Sequence, residues 1–170
     1  MKTKELVIMA LFAAIGAVLH SIMPPVLFGM KPDMMLVMMF MGILLFPRVQ
    51  NVLMIGIVTG IISALTTSFP GGQLPNIIEK PVTAFLFLAL ALLVKKSVKA
   101  AAVITIAGTF ISGLLFLALA LLIVGLPGGF TALVLAVVLP AAALNTIAII
   151  IMHPIVQTIL KRSNMIETVK

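Results

Sequence analysis

Between Lys99 and Lys161 the sequence carries no Asp, Glu, Lys or Arg. An uncharged stretch of that length needs either a very large apolar core or a bilayer around it. At 170 residues the chain cannot build such a core. Its composition, 63% hydrophobic and 9% charged, also lies far outside the range of soluble domains. The chain is therefore read as an integral membrane protein, with room for one compact bundle and no appended soluble domain.

Cuts at charges, Pro and Gly give six apolar segments, at 5–23, 33–46, 51–69, 81–94, 100–125 and 130–160. A hydrocarbon core about 30 Å thick needs about 20 apolar residues of helix. The first and third segments meet that length, the fifth is long enough to tilt, and the sixth is long enough to protrude. The second and fourth, at 14 residues each, fall short. They are expected to start below the outer surface, lean on neighbours, or be extended by ordered loop. Orientation follows from the basic residues. With the N-terminus inside, the cytoplasmic ends hold Lys2, Lys4, Arg48, Lys95, Lys96, Lys99, Lys161, Arg162 and Lys170, against only Lys31 and Lys80 outside. The predicted fold is thus an all-α membrane protein, a six-transmembrane-helix bundle with both termini cytoplasmic and residues 1–170 in a single integral membrane domain. Lys2 and Lys4 ahead of an apolar run also fit a secretion signal. No small-x-small cleavage site with a polar continuation follows, so the segment is read as a helix. Topology accounts for the net charge of +7, and no nucleic-acid partner is expected.

Several chemistries are excluded by what is missing. Without cysteine there is no disulfide, thiolate nucleophile or Cys-based metal site. No phosphate-cradling Gly-x-x-x-x-Gly-Lys-Ser/Thr loop, His-Glu-x-x-His spacing or converging Ser/His/Asp set is present. Neither enzymatic activity nor a bound cofactor is expected. Trp and Tyr are absent, so any aromatic belt falls to the ten Phe residues.

The charges outside come as two compact pairs, Lys31-Pro32-Asp33 and Glu79-Lys80-Pro81, each read as opening a short helix. Pro32 suits a first helical turn and Asp33 is favoured there by the helix dipole. The outward N-termini of helices two and four would then converge on one layer and suit a carboxylate, leaving Asp33 and Glu79 to receive an ammonium. An α-amino acid is the simplest molecule carrying both charges. The blander reading makes Asp33 a dipole partner, Lys31 a snorkelling residue, and Glu79–Lys80 a surface ion pair worth at most about 1 kcal/mol. The loop from Pro24 to Asp33 is expected to fold back as a lid. The loop from Thr66 to Pro81 adds hydroxyl and amide groups, among them Gln73 and Asn76, between prolines that limit its freedom. Pro70-Gly71-Gly72 and Pro127-Gly128-Gly129 hint at a repeat, although turn chemistry explains both. Asn145, fifteen residues past Phe130 and just beyond a bend expected at Pro140, sits near mid-membrane and needs a partner, either another helix or a ligand. His20 faces the lid level and is a further site candidate. His153 near the cytoplasmic end reads as an interface or gating residue. Thr59, Ser63 and Ser112 read as interhelical hydrogen bonders. The methionines from Met30 to Met41 read as core filler or as an adaptable wall around an aromatic ligand. Ala10, Ala13, Ala14 and Ala17 form small-x-x-x-small patterns, either for packing within the bundle or for docking another subunit.

Four strings carry a resemblance: Met1-Lys-Thr-Lys-Glu-Leu-Val, Met9-Ala-Leu-Phe-Ala-Ala-Ile-Gly, Gly29-Met-Lys-Pro-Asp-Met-Met and Leu65-Thr-Thr-Ser-Phe-Pro-Gly-Gly-Gln. They resemble the family of bacterial tryptophan transporters TrpP, itself similar to the substrate-binding S components of energy-coupling factor (ECF) transporters. The resemblance spans nearly the whole chain. It implies a multi-pass protein of the bacterial cell membrane that captures extracellular tryptophan. It further implies docking through helix one, at Ala10, Ala14 and with them Ala13 and Ala17, onto an ECF transmembrane coupling subunit joined to two ATPase subunits. The substrate site residues expected from the sequence are Lys31, Asp33, Gln73, Asn76, Glu79, Lys80, Asn145 and His20. A stand-alone ion-coupled amino-acid carrier and a membrane scaffold without a small ligand fit the same composition.

Overall fold

The computed structural model describes residues 3–23, 32–94, 97–163 and 165. Among them are six helices and no strand: α1 Thr3–Ile22, α2 Met34–Leu45, α3 Val49–Thr66, α4 Gln73–Leu93, α5 Val98–Ile123 and α6 Phe130–Arg162. All but α2 are long and apolar enough to cross a bilayer. The expected lid lies outside the described residues apart from Pro32 and Asp33.

The short helix α2 solves its length problem by never meeting lipid. Every residue from Met34 to Ile43 is buried, and α2 packs against each of the other five helices. A helix apolar on all faces belongs in the centre of a bundle, where protein rather than bilayer sets the required length. Met34, Met35, Met38, Met39 and Met41 are all buried in this core, with Phe40 stacked on Phe87 of α4 at 3.8 Å. None of these five methionines lines the main cavity described below. That favours core filler over an adaptable ligand wall.

The fourth segment differs from expectation at its start. It begins at Gln73, not at residue 81, and its 21 residues suffice to span. Pro75 costs nothing in the first turn, where N–H groups have no intrahelical partner. Pro81 lies inside the helix, where it has no N–H to donate to the preceding turn. Its neighbour is α3, whose Gly56 and Gly60 let the backbones approach closely. A Cβ on Gly56 would sit 3.0 Å from Pro81 Cα, and one on Gly60 3.1 Å from the Asn76 carbonyl. This Gly-x-x-x-Gly face is a close-approach motif that sequence reading passed over in favour of the alanines of helix one.

Pro140 perturbs α6 as its chemistry requires. Val134–Val138 forms a π-turn immediately before it, with the Leu139 N–H donating to the Val134 carbonyl five residues back. A proline can neither donate to the preceding turn nor let it approach normally, and a π-bulge is one way to absorb that. Gly113 of α5 leaves room for the bulge, since a Cβ there would be 2.6 Å from Val138 Cγ1.

At the end of the bundle where α1 begins, Glu5 is buried and paired with Arg48 Nη1 at 2.9 Å. The Asn51 amide, fully buried, donates to Glu5 Oε2 at 2.9 Å. The cluster ties the start of α1 to the α2–α3 connection. His153 is buried beside a cavity of about 160 Å³ at that same end, shared with Ser97 and Gln157.

Candidate functional site

Nearer the opposite ends of the helices lies a cavity of about 440 Å³ to which all six contribute. That volume falls within the ~300–1,000 Å³ typical of small-molecule pockets. Each helix presents side chains at its own period: Asn76 and Lys80 from α4, Thr109, Ser112 and Phe116 from α5, Val138, Ala141 and Asn145 from α6. His20 of α1, Asp33 and Leu36 at the head of α2, and Ser63 of α3 complete the ring, with Thr67 and Phe69 beyond α3.

The polar centre is an ion cluster in which Asp33 joins Glu79 and Lys80. Lys80 Nζ lies 3.1 Å from Asp33 Oδ2 and 2.6 Å from Glu79 Oε1, and donates to Ser112 Oγ at 3.3 Å. Lys80 and Glu79 have 5% and 0% side-chain exposure, so the surface ion pair weighed from sequence is in fact a buried one. Asp33 is 28% exposed toward the cavity. It caps α2, its Oδ1 accepting the Leu36 N–H at 3.0 Å, while Oδ2 faces Lys80. His20 Nδ1 stands 3.8 Å from Asp33 Oδ1, within reach of an ion pair only if the imidazole is protonated.

Glu79 does not line the cavity. Its Oε2 accepts hydrogen bonds from Thr83 Oγ1 at 2.9 Å and Ser112 Oγ at 3.0 Å. It stands behind Lys80 and is not free to receive an ammonium; Asp33 is the carboxylate that a ligand can meet. The converging helix ends also reduce to one. Lys80 lies seven residues inside α4, about 10 Å along the axis, so only α2 starts at the site. There the Asp33 N–H is engaged by Asn145 Oδ1 at 2.8 Å and the Leu36 N–H by Asp33 Oδ1 at 3.0 Å.

Asn145 finds helix partners, accepting from Asp33 and donating to Thr109 Oγ1 at 3.4 Å, and also lines the cavity. Asn76 is buried on the wall, its amide donating to the Gly72 carbonyl at 2.8 Å. Gln73 is exposed and outside the cavity lining. Lys31 lies outside the described residues. Of the expected hydrogen bonders, Ser112 bridges α4 and α5 as expected, whereas the buried Thr59 and Ser63 hydroxyls have no partner among the described residues.

Phe69 and Phe116 meet edge to face at 5.2 Å on the cavity wall, an aromatic lining that sequence reading did not assemble. The signal was present on α5, where Thr109, Ser112 and Phe116 recur at helical spacing. On helix one, Ala10 and Ala14 are exposed on the bundle exterior and Ala17 is half-buried. Ala13 is 5% exposed inside the bundle, which takes it out of any docking face.

Apolar helices around a partly open cavity lined by opposite charges and aromatic rings define a multi-pass membrane protein with a site suited to a small molecule. Residues 2–161 match the tryptophan transporter TrpP family, and the chain belongs to that family. It is 76% identical to a probable tryptophan transport protein of Bacillus subtilis (strain 168), with both chains covered completely. A probable tryptophan transport protein of Clostridium acetobutylicum is 51% identical over 86% of this chain and 88% of its own. One of Clostridium perfringens is 39% identical over 96% of this chain and 97% of its own. No solved structure shows significant similarity.

Proposed function

We propose that the chain is the substrate-capturing membrane subunit of a tryptophan uptake system, binding the amino acid from outside in the 440 Å³ cavity. The observation that carries this reading is the Asp33–Lys80 pair at 3.1 Å on a wall shared with Phe69 and Phe116. Opposite charges and aromatic rings lining one cavity match an aromatic amino acid: the ammonium goes to Asp33, the carboxylate to Lys80, the indole to the phenylalanines. Titration of the purified chain with each of the twenty amino acids tests it. Tryptophan is expected to bind and to lose affinity in Asp33→Asn and Lys80→Met. Equal, weak binding of all twenty would overturn the reading.

The energy source follows from the resemblance to ECF S components: ATP hydrolysis by two partner ATPases, transmitted through a coupling subunit. The exposed Ala10 and Ala14 supply a surface of low relief on which another helix can lie. Co-reconstitution with an ECF coupling subunit and its ATPases is the test. Ala10→Trp with Ala14→Trp is expected to abolish ATP-dependent uptake while tryptophan binding persists. Uptake by the chain alone, driven by an ion gradient, would instead identify a stand-alone carrier.

A further inference from the structure

We propose that the cavity selects for an ammonium group, so that aromatic amines without a carboxylate are a second ligand class alongside the amino acid. The proposal rests on the reading that an aromatic amino acid occupies this cavity, and it adds which of its charges is indispensable. The argument is a charge count. Among the described residues at the cluster there are two carboxylates, Asp33 and Glu79, against one ammonium, Lys80. The His20 imidazole, 3.8 Å from Asp33 Oδ1, is left out of the count.

These charges are not equivalent in position. Glu79 is sealed from the cavity at 0% exposure, its Oε1 ion-paired with Lys80 Nζ at 2.6 Å and its Oε2 accepting from Thr83 and Ser112. Lys80 and Glu79 therefore form a neutral unit that needs no ligand. Asp33 is the charge left over. Its Oδ2 borrows the same ammonium at 3.1 Å from the cavity side.

A ligand ammonium at Asp33 Oδ2 completes the set, giving two carboxylates and two ammonium groups. An amino acid adds a third carboxylate, which must share Lys80 with Glu79. An aromatic acid without an amine makes three carboxylates around one ammonium. Beside side chains as buried as Lys80 and Glu79, unbalanced charge weighs more than at a surface. The rings of Phe69 and Phe116 serve any of these ligands equally, so charge decides between them.

Competition against labelled tryptophan on the purified full-length chain reads the ranking directly, with tryptamine and indole-3-propionate as probes. Tryptamine is expected to bind within about threefold of tryptophan or more tightly, and indole-3-propionate at least about a hundredfold more weakly. Indole-3-propionate competing better than tryptamine, or tryptamine failing where tryptophan binds, overturns the proposal and leaves the tryptophan site standing. Loss of binding by tryptophan itself would sink the earlier reading, and direct titration with tryptamine would still decide this one. Glu79→Gln frees Lys80 for the ligand carboxylate and is expected to shift the preference toward tryptophan by about tenfold or more. An unchanged ratio would refute the part assigned to Glu79.

Discussion

Replacing Lys80 with Met keeps the length and apolar stem of the side chain and deletes only its charge. In the ligand-free protein the ammonium sits 2.6 Å from Glu79 Oε1 and 3.1 Å from Asp33 Oδ2. Glu79 would keep its two hydroxyl donors but lose its counter-charge at 0% exposure, and removing one partner of a buried pair costs about 3–5 kcal/mol. Asp33 is better placed to tolerate the loss, being 28% exposed and bonded to the first turn of α2. A second substitution therefore separates the two carboxylates. Lys80→Met with Glu79→Gln should recover most of the lost stability, because a pair removed whole leaves no stranded charge. Lys80→Met with Asp33→Asn should recover little. Equilibrium unfolding in mixed micelles, followed by far-ultraviolet circular dichroism without ligand, measures all four proteins. A loss under about 1 kcal/mol for Lys80→Met, as for an exposed pair, would refute the reasoning. So would rescue by Asp33→Asn in place of Glu79→Gln.

Three further outcomes follow from the packing. Gly56→Val should destabilise by about 1–3 kcal/mol and weaken ligand binding through the displaced α4, as read by thermal unfolding and titration, because its Cβ would meet Pro81 backbone at 3.0 Å. Asn51→Leu removes the amide donor to buried Glu5 at 2.9 Å and should cost about 1–3 kcal/mol in the same unfolding assay, with tryptophan affinity unchanged. Phe69→Ala removes one ring of the cavity wall. Calorimetry should show tryptophan affinity falling roughly two- to tenfold, the scale of an aromatic contact of ~0.5–1.5 kcal/mol, with no comparable change for a ligand lacking a ring.

The membrane class and the helix count were legible because they depend on composition along the chain. Helix bounds were less so, and α4 shows why. Pro81 looked like a helix start because proline is excluded from an isolated helix interior, yet here α3 packs Gly56 against it and the helix begins at Gln73. The length paradox of α2 had the same origin: a hydrophobic run reports that water is excluded, not whether lipid or protein excludes it.

The candidate site divides along the same line. Sequence alone marked Asp33, Glu79 and Lys80 as costly charges in an apolar chain, since an ion in lipid needs a partner wherever it is. Which partner it takes depends on distances between helices far apart in sequence. The fold paired Lys80 with Asp33 across 47 positions, enclosed Glu79 behind it, and left Gln73 on the exterior. It also brought Phe69 beside Phe116, two ordinary phenylalanines until α5 met the end of α3. One-dimensional pattern determined that the chain lies in a membrane and which residues do not belong there, because the free energy of burying a group depends on its own chemistry. Only tertiary packing decided which of those residues face the cavity and which merely support it, because pairing energies fall off over a few ångströms that the sequence does not contain.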